Sequence, residues 1–443
     1  MHVFPNHIPK MASSSLHVIP CTILFFFFSV FLSGLHNADG SSCYKSIISF
    51  GDSIADTGNL LLLNGGGSAG PGRLPYGETY FHRSTGRFSD GRLIIDFIAE
   101  AVGLPLVPPY AGGAQNSSSF KSGVNFAVGG GTALNSDFFR KKGIMVSNGY
   151  SLDVQMGWFK KLLPSLCSSD SECKDTLGKS LFLVGEIGGN DYNNAILQKR
   201  TMKELRTLVP SVVSAIGSAI AELIGMGATT LVVPGNFPIG CNSVLLTTFK
   251  NSPQSDYDEH TGCIKWLNEF AEYQNSKLQE ELDSLRQQHP SAKIIYADYY
   301  NATFSMFRSP GSFGFGDDVL KACCGGGGPY NADPGVLCWD AGAKLCDDPS
   351  KYVCWDGVHL TEAAYRTIAN QLLAGPLAMP IVNSTCPKIA AKVDDKQNPP
   401  VSPKVDDGQS NSGAEMGLLR KKGVVAMYSC LLFATVFLVM QKI

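Results

Sequence analysis

Three short polar stretches hold residues whose types could together perform acyl chemistry. In FGDSIADTGN, Ser53 stands in a turn that follows the apolar run SIISF and leads into a helix. A serine hydroxyl becomes a nucleophile once a base takes its proton, and backbone N–H groups in such a turn can face a developing oxyanion. Histidine usage narrows the choice of base. Beyond the leader the chain has His82, His260, His289 and His359. His289 precedes a proline at a helix end and His260 lies in a polar loop, so both read as surface residues. His359 lies in WDGVHLTEAAY, with Asp356 three residues earlier. That spacing returns the carboxylate to the imidazole over about one turn, which orients the ring and stabilises its protonated form. Asp56 and Asp191 read as loop braces.

The elements that must position these groups follow an alternating pattern. SIISF, SLFLVGEI, TLVVP and KIIYAD are short apolar runs that end in Gly, Pro or Asp. Between them lie helical stripes: one after SDGRL that stops at Gly103, capped by Ser89 or Asp90, one over Val212 to Ile224, one around Trp266 to Leu285, and TEAAYRTIANQLL. Apolar strands alternating with amphipathic helices predict a parallel sheet covered on both faces, hence an α/β fold with three α/β/α layers. Ligands in such a sheet sit beyond the carboxyl ends of the strands. Ser53 is expected there.

The blocks taken together resemble a known family. GDSIADTGN, GVNFAVGGGTAL, GGND and WDGVHLT look like the four ordered motifs of the plant GDSL-type esterase/lipases, within the SGNH hydrolase superfamily. The likeness runs through PYGETYF, TGRFSDGRLIIDF, VVPGNFPIGC and CCGGGGPYN, covering nearly the whole body. It implies an SGNH hydrolase-like, flavodoxin-like fold with a mostly parallel sheet. Ser53 would be the nucleophile, His359 the base and Asp356 its orienter. The oxyanion hole would combine the Ser53 N–H, a glycine N–H and the Asn190 amide. Gly130 is assigned as that glycine, with Gly129 as the alternative. The implied reaction is hydrolysis of carboxylic esters, of lipids or secondary metabolites, through an acyl-enzyme. Acyl transfer by the same site, or a catalytically silent cell-surface binding protein, are the alternatives.

The ends of the chain read as targeting segments. An apolar run within residues 1–40 is of signal-peptide length, and the hydrolase body is assigned to residues 41–388. A polar stalk follows over 389–414, carrying KVDD in its second half as well as just upstream of the run of Pro residues. The apolar tail, 415–443, is either a membrane-spanning helix or the signal for a glycolipid anchor. A secreted or cell-surface protein is therefore expected, attached to the membrane if the tail is used. In that compartment the eleven cysteines of the body should mostly pair. Cys167 with Cys173 and Cys241 with Cys263 are plausible local bridges, and Cys354, just before WDGVH, is the candidate for the odd one out. Asn116, Asn301 and Asn383 are glycosylation sequons.

A net charge of -2 with only 17% charged residues leaves no basic field, which argues against nucleic acid as a partner. No Gly-rich run has a nucleotide-binding pattern and no CxxC pair has a matching partner for zinc, so no metal or cofactor is expected. The expected partner is a small-molecule or lipid ester, and the chain is expected to be a monomer.

Overall fold

Strand formation here follows from apolar residues that have to be buried on both sides. A computed structural model describes residues 43–66, 70–113, 120–380 and Cys386. The leader (1–40), Asn116, Asn383, the stalk (389–414) and the tail (415–443) lie outside the described residues. Strands β1 (Ser46–Phe50), β2 (Gly123–Asn125), β3 (Ser180–Val184), β4 (Thr230–Pro234) and β5 (Lys293–Ala297) run parallel. A two-stranded ribbon, β6 (Cys324–Gly325) with β7 (Lys344–Leu345), stands apart from this sheet. Strand β8 (Ala378–Met379) pairs antiparallel with β5 at one edge, giving the order β2-β1-β3-β4-β5-β8. This is the three-layer α/β/α arrangement.

Alternate strand residues feed two separate cores, as the period of two requires. Ile48, Phe182, Leu231 and Ile294 face one side, while Ile47, Leu181, Val232 and Ile295 face the other. Helices α1 (Asn59–Leu63), α2 (Ile94–Val102), α3 (Leu152–Leu166), α4 (Gly189–Leu197), α5 (Met202–Met226), α6 (Lys265–Gln288), α7 (Tyr299–Arg308) and α8 (Glu362–Ala374) supply the outer layers. The stripes of α3, α5 and α6 cover the first core, and those of α2, α7 and α8 the second.

One helix start differs from the sequence expectation. Helix α2 begins at Ile94 behind Leu93, four residues after the expected cap. Asp96 accepts the Leu93 N–H and forms a paired contact of 2.8 Å with Arg87. Asp90 is used elsewhere: its Oδ1 accepts the Glu362 N–H at 2.7 Å, at the head of α8. A capping side chain serves any helix start within reach, and sequence proximity does not decide which.

Five disulfides close the fold: Cys43–Cys386, Cys167–Cys173, Cys241–Cys263, Cys323–Cys346 and Cys324–Cys338. Cys354 is free and buried. Asn301 is exposed on the first turn of α7, its amide donating to Asp298.

Candidate active site

The carboxyl ends of β1 and β3 meet closely because two glycines leave room. A Cβ on Gly185 would lie 2.3 Å from the Phe50 carbonyl, and one on Gly51 would lie 2.9 Å from the Glu186 carbonyl. The turn that follows β1 is therefore locked to the turn that follows β3, with the Asp52 N–H donating to the Glu186 carbonyl. Ser53 sits in the first of these turns, almost fully buried.

The loop before α8 meets it from the far end of the chain. His359 Nε2 is 2.8 Å from Ser53 Oγ, and His359 Nδ1 is 2.7 Å from Asp356 Oδ2. The backbone N–H groups of Val358 and His359 donate to Asp356 Oδ1, so the carboxylate holds both the ring and the loop. Burial alone would raise the Asp356 carboxyl. The His359 charge and the hydrogen bonds from His359 and Tyr76 outweigh it and bring the group down to about 2. Asp356 thus stays ionised opposite the imidazole. Phe88 covers the His359 ring, with centroids 4.6 Å apart, and the N–H groups of Cys323 and Cys324, at the start of the ribbon, donate to the Cys354 and Trp355 carbonyls of the same loop.

The three glycines after Val128 have different surroundings. Gly129 donates to Asp56 Oδ2 at 2.8 Å and Gly131 to the Val128 carbonyl at 2.9 Å. Among the described residues the Gly130 and Ser53 N–H groups have no intramolecular acceptor, so both are available to a ligand. The Asn190 amide is nearby but engaged: its Nδ2 donates at 3.0 Å to both Asp52 Oδ2 and the Gly131 carbonyl. It can reach an oxyanion only by giving up one of these. Asp56 receives the N–H groups of Gly58, Asn59, Leu60 and Gly129, and Asp191 those of Ala133 and Leu134. Both carboxyls fasten the glycine loop to its neighbours.

A cavity of about 70 Å3 opens beside Ser53, bounded by Asp52, Glu186 and Asn190 and by the apolar side chains of Phe237, Ile239, Phe307 and Leu360. Cys354 also lines it, its thiol pushed up to about 11 by burial. His82 and His260 are exposed and His289 is partly so. Sequence reasoning missed Tyr76, Phe88 and Glu186. The first two lay within PYGETYF and TGRFSDG, blocks noted only as part of a resemblance.

Comparison with known proteins finds likeness over most of the chain. Residues 47–372 match the family described as GDSL-like Lipase/Acylhydrolase. The chain is 52% identical over 365 residues to GDSL esterase/lipase At1g28600 of Arabidopsis thaliana, covering 82% of this chain and 92% of that protein. It is 50% identical over 377 residues to GDSL esterase/lipase At1g31550 of the same plant, with 85% and 95% covered. It is 54% identical over 351 residues to GDSL esterase/lipase At1g28590, with 77% and 85% covered.

Proposed function

This chain belongs to the GDSL-like lipase/acylhydrolase family and is a carboxylic ester hydrolase, and from that premise we propose that Ser53, His359 and Asp356 carry the reaction through an acyl-enzyme. The observation behind this reading is the unbroken chain of short contacts from Asp356 through His359 to Ser53 Oγ, 2.7 and 2.8 Å. Ser53 Oγ attacks the ester carbonyl carbon while its proton passes to His359 Nε2. The carbonyl oxygen becomes an oxyanion held by the Ser53 and Gly130 N–H groups and by Asn190 Nδ2. Collapse of this intermediate breaks the ester C–O bond, and the departing alcohol takes the proton from His359. Water, activated by His359, repeats the steps and releases the acid.

The preferred substrates are esters of short acyl groups. The cavity beside Ser53, about 70 Å3, is roughly half the volume of one that holds benzene, and its apolar wall favours a short hydrocarbon chain. The protein works as a monomer in the secretory pathway or at the cell surface, with glycans at Asn116, Asn301 and Asn383. The disulfides support that compartment. Any membrane attachment would come through residues 415–443, and release by a phosphatidylinositol-specific phospholipase separates an anchor from a membrane-spanning helix.

The test of the catalytic reading compares wild type with Ser53→Ala on aryl esters of graded chain length, alongside a phosphonate probe. We expect turnover to fall by at least about 10³ in the variant and the probe to label Ser53. Equal hydrolysis by the two proteins would sink the reading.

A further inference from the structure

Both ring nitrogens of His359 are committed, Nε2 to Ser53 Oγ and Nδ1 to Asp356, which leaves chiefly the faces of the imidazole for other contacts. Phe88 lies over one face, with ring centroids 4.6 Å apart and the two planes 35° from parallel. The phenyl ring is held on its other sides as well. Tyr76 packs against it at 85°, and a Cβ on residue 129 would lie 2.6 Å from Phe88 Cε2. Glycine at 129 therefore lets the phenyl ring press on the backbone of the glycine loop, next to the Gly130 N–H assigned to the oxyanion. The chain flanking Phe88 is tied down too. Arg87 pairs with the buried Asp96 of α2, the Ser89 carbonyl accepts the Gly77 N–H, and Asp90 holds the head of α8, just beyond His359.

We infer that Phe88 is a positioning residue for ester hydrolysis, whose ring face stabilises His359 while the imidazole carries the proton taken from Ser53. The imidazole is neutral when the ester binds and cationic once Ser53 has attacked. An aromatic face attracts a cation within about 6 Å of its centroid and gains less from a neutral ring. The contact therefore strengthens on the way to the transition state, which raises kcat and leaves substrate binding alone. Because Tyr76, Gly129 and the anchored flanks hold the phenyl ring in place beforehand, nothing has to be ordered at the moment of reaction. The charged and titratable groups that also act on His359 are Asp356 from its own loop and Glu186 from the turn after β3, with Tyr76 and Tyr365 of α8 acting through Asp356. Phe88 adds no charge of its own, so its ring can be varied while all of these stay in place.

This assignment rests on the roles given above to Ser53 and His359, and the experiment keeps the two readings apart. The kcat and KM of the full chain for a short-acyl aryl ester are measured across pH in wild type, Ser53→Ala and Phe88→Leu, and in proteins carrying mono-, di- or trifluorinated phenylalanine at position 88. Ring fluorines draw electrons from the face and change the shape of the side chain little. On the plateau above the acid limb, kcat should fall stepwise with each fluorine, reaching about three- to tenfold below wild type with the trifluorinated ring. KM should stay the same. Phe88→Leu should lose about tenfold or more in kcat. With the protonated imidazole less favoured, the acid limb of kcat/KM should move to lower pH along the same series. Equal kcat across the fluorinated proteins would overturn the assignment whatever Phe88→Leu does, since a ring that only fills space is indifferent to fluorine. A loss of kcat with the acid limb unmoved, or moved to higher pH, would overturn it too. If Phe88→Leu unfolds, the fluorinated series decides alone. Activity in Ser53→Ala equal to wild type would take down both readings; an inactive Ser53→Ala with a flat fluorinated series takes down this one alone.

Discussion

Tyr76 donates its hydroxyl to Asp356 Oδ2 at 2.7 Å across 280 residues of sequence. The same oxygen faces His359 Nδ1, so one carboxylate oxygen serves both partners. Tyr76 is wholly buried, edge-on to Phe88 and Trp355. Its hydroxyl helps hold the carboxyl in its ionised form. Tyr76→Phe removes that bond without changing the ring. The carboxylate should then bind the protonated base more strongly, and the acid limb of kcat/KM should move to higher pH. Stability should fall by about 1–2 kcal/mol. An unchanged acid limb in the pH–rate profile would show that the ring only fills space.

The buried carboxyls of the glycine loop predict a stability profile of their own. Burial raises Asp191 to about 7 and Asp56 to about 6. A folded-state value above the unfolded one, near 3.9, means that the folded chain binds the proton more tightly. That stability is fully present below about pH 4 and is lost as pH rises to about 7. Thermal unfolding should therefore show a less stable protein at pH 8 than at pH 5, by on the order of 2 kcal/mol. Asp191→Asn should flatten this slope, although the variant is less stable throughout. A wild-type midpoint equal at the two pH values would refute the prediction.

Gly130 has φ 76°, in the left-handed region, and a Cβ there would lie 2.8 Å from Asn148 Nδ2. Gly130→Ala is expected to cost about 1 kcal/mol in backbone strain and to displace Asn148 from the Gly129 carbonyl. As the N–H assigned to the oxyanion moves, kcat should fall by about 10- to 100-fold with a smaller change in KM. Steady-state kinetics within twofold of wild type would remove Gly130 from the reaction.

Cys354 tests how closed the cavity floor is. Its thiol is buried, donates to the Val319 carbonyl at 3.6 Å, and is held mostly protonated at neutral pH. Thiolate is the reactive form. At pH 7.5, labelling by a maleimide, followed by intact mass, should be at least about tenfold slower in the native protein than in denaturant. Fast native labelling would mean that the cavity opens widely to solvent.

Much of the fold was legible because the strands are apolar along their whole length and the helices carry clear stripes. The start of α8 was equally plain, since Thr361, whose hydroxyl accepts the Ala364 N–H, opens the stripe TEAAYRTIANQLL. The α2 start was not, because Asp90 has the same local cap chemistry whether it serves α2 or α8. Ser53, Asp356 and His359 stand out because each lies in a short polar stretch at the end of an element. Tyr76, Phe88 and Glu186 do not, since an aromatic or acidic residue acquires a part in the site only through contacts made by distant chain. Glu186 lay inside a run that reads as a buried strand, and nothing local to it points toward Asp52. The Cys43–Cys386 bridge, 343 residues apart, was hidden for the same reason.

That bridge brings the Cα atoms where the described body begins and ends to 5.5 Å. A pull applied between the chain before Cys43 and the chain after Cys386 therefore passes through one covalent link, and the sheet between them bears no load. The two ends of the described body thus present a single point of load. Stretching or dragging at that point would leave the spacing of Ser53 and His359 undisturbed while the bridge stays oxidised. Reduction would transfer the load to β1, whose end leads to Ser53, and to the edge strand β8.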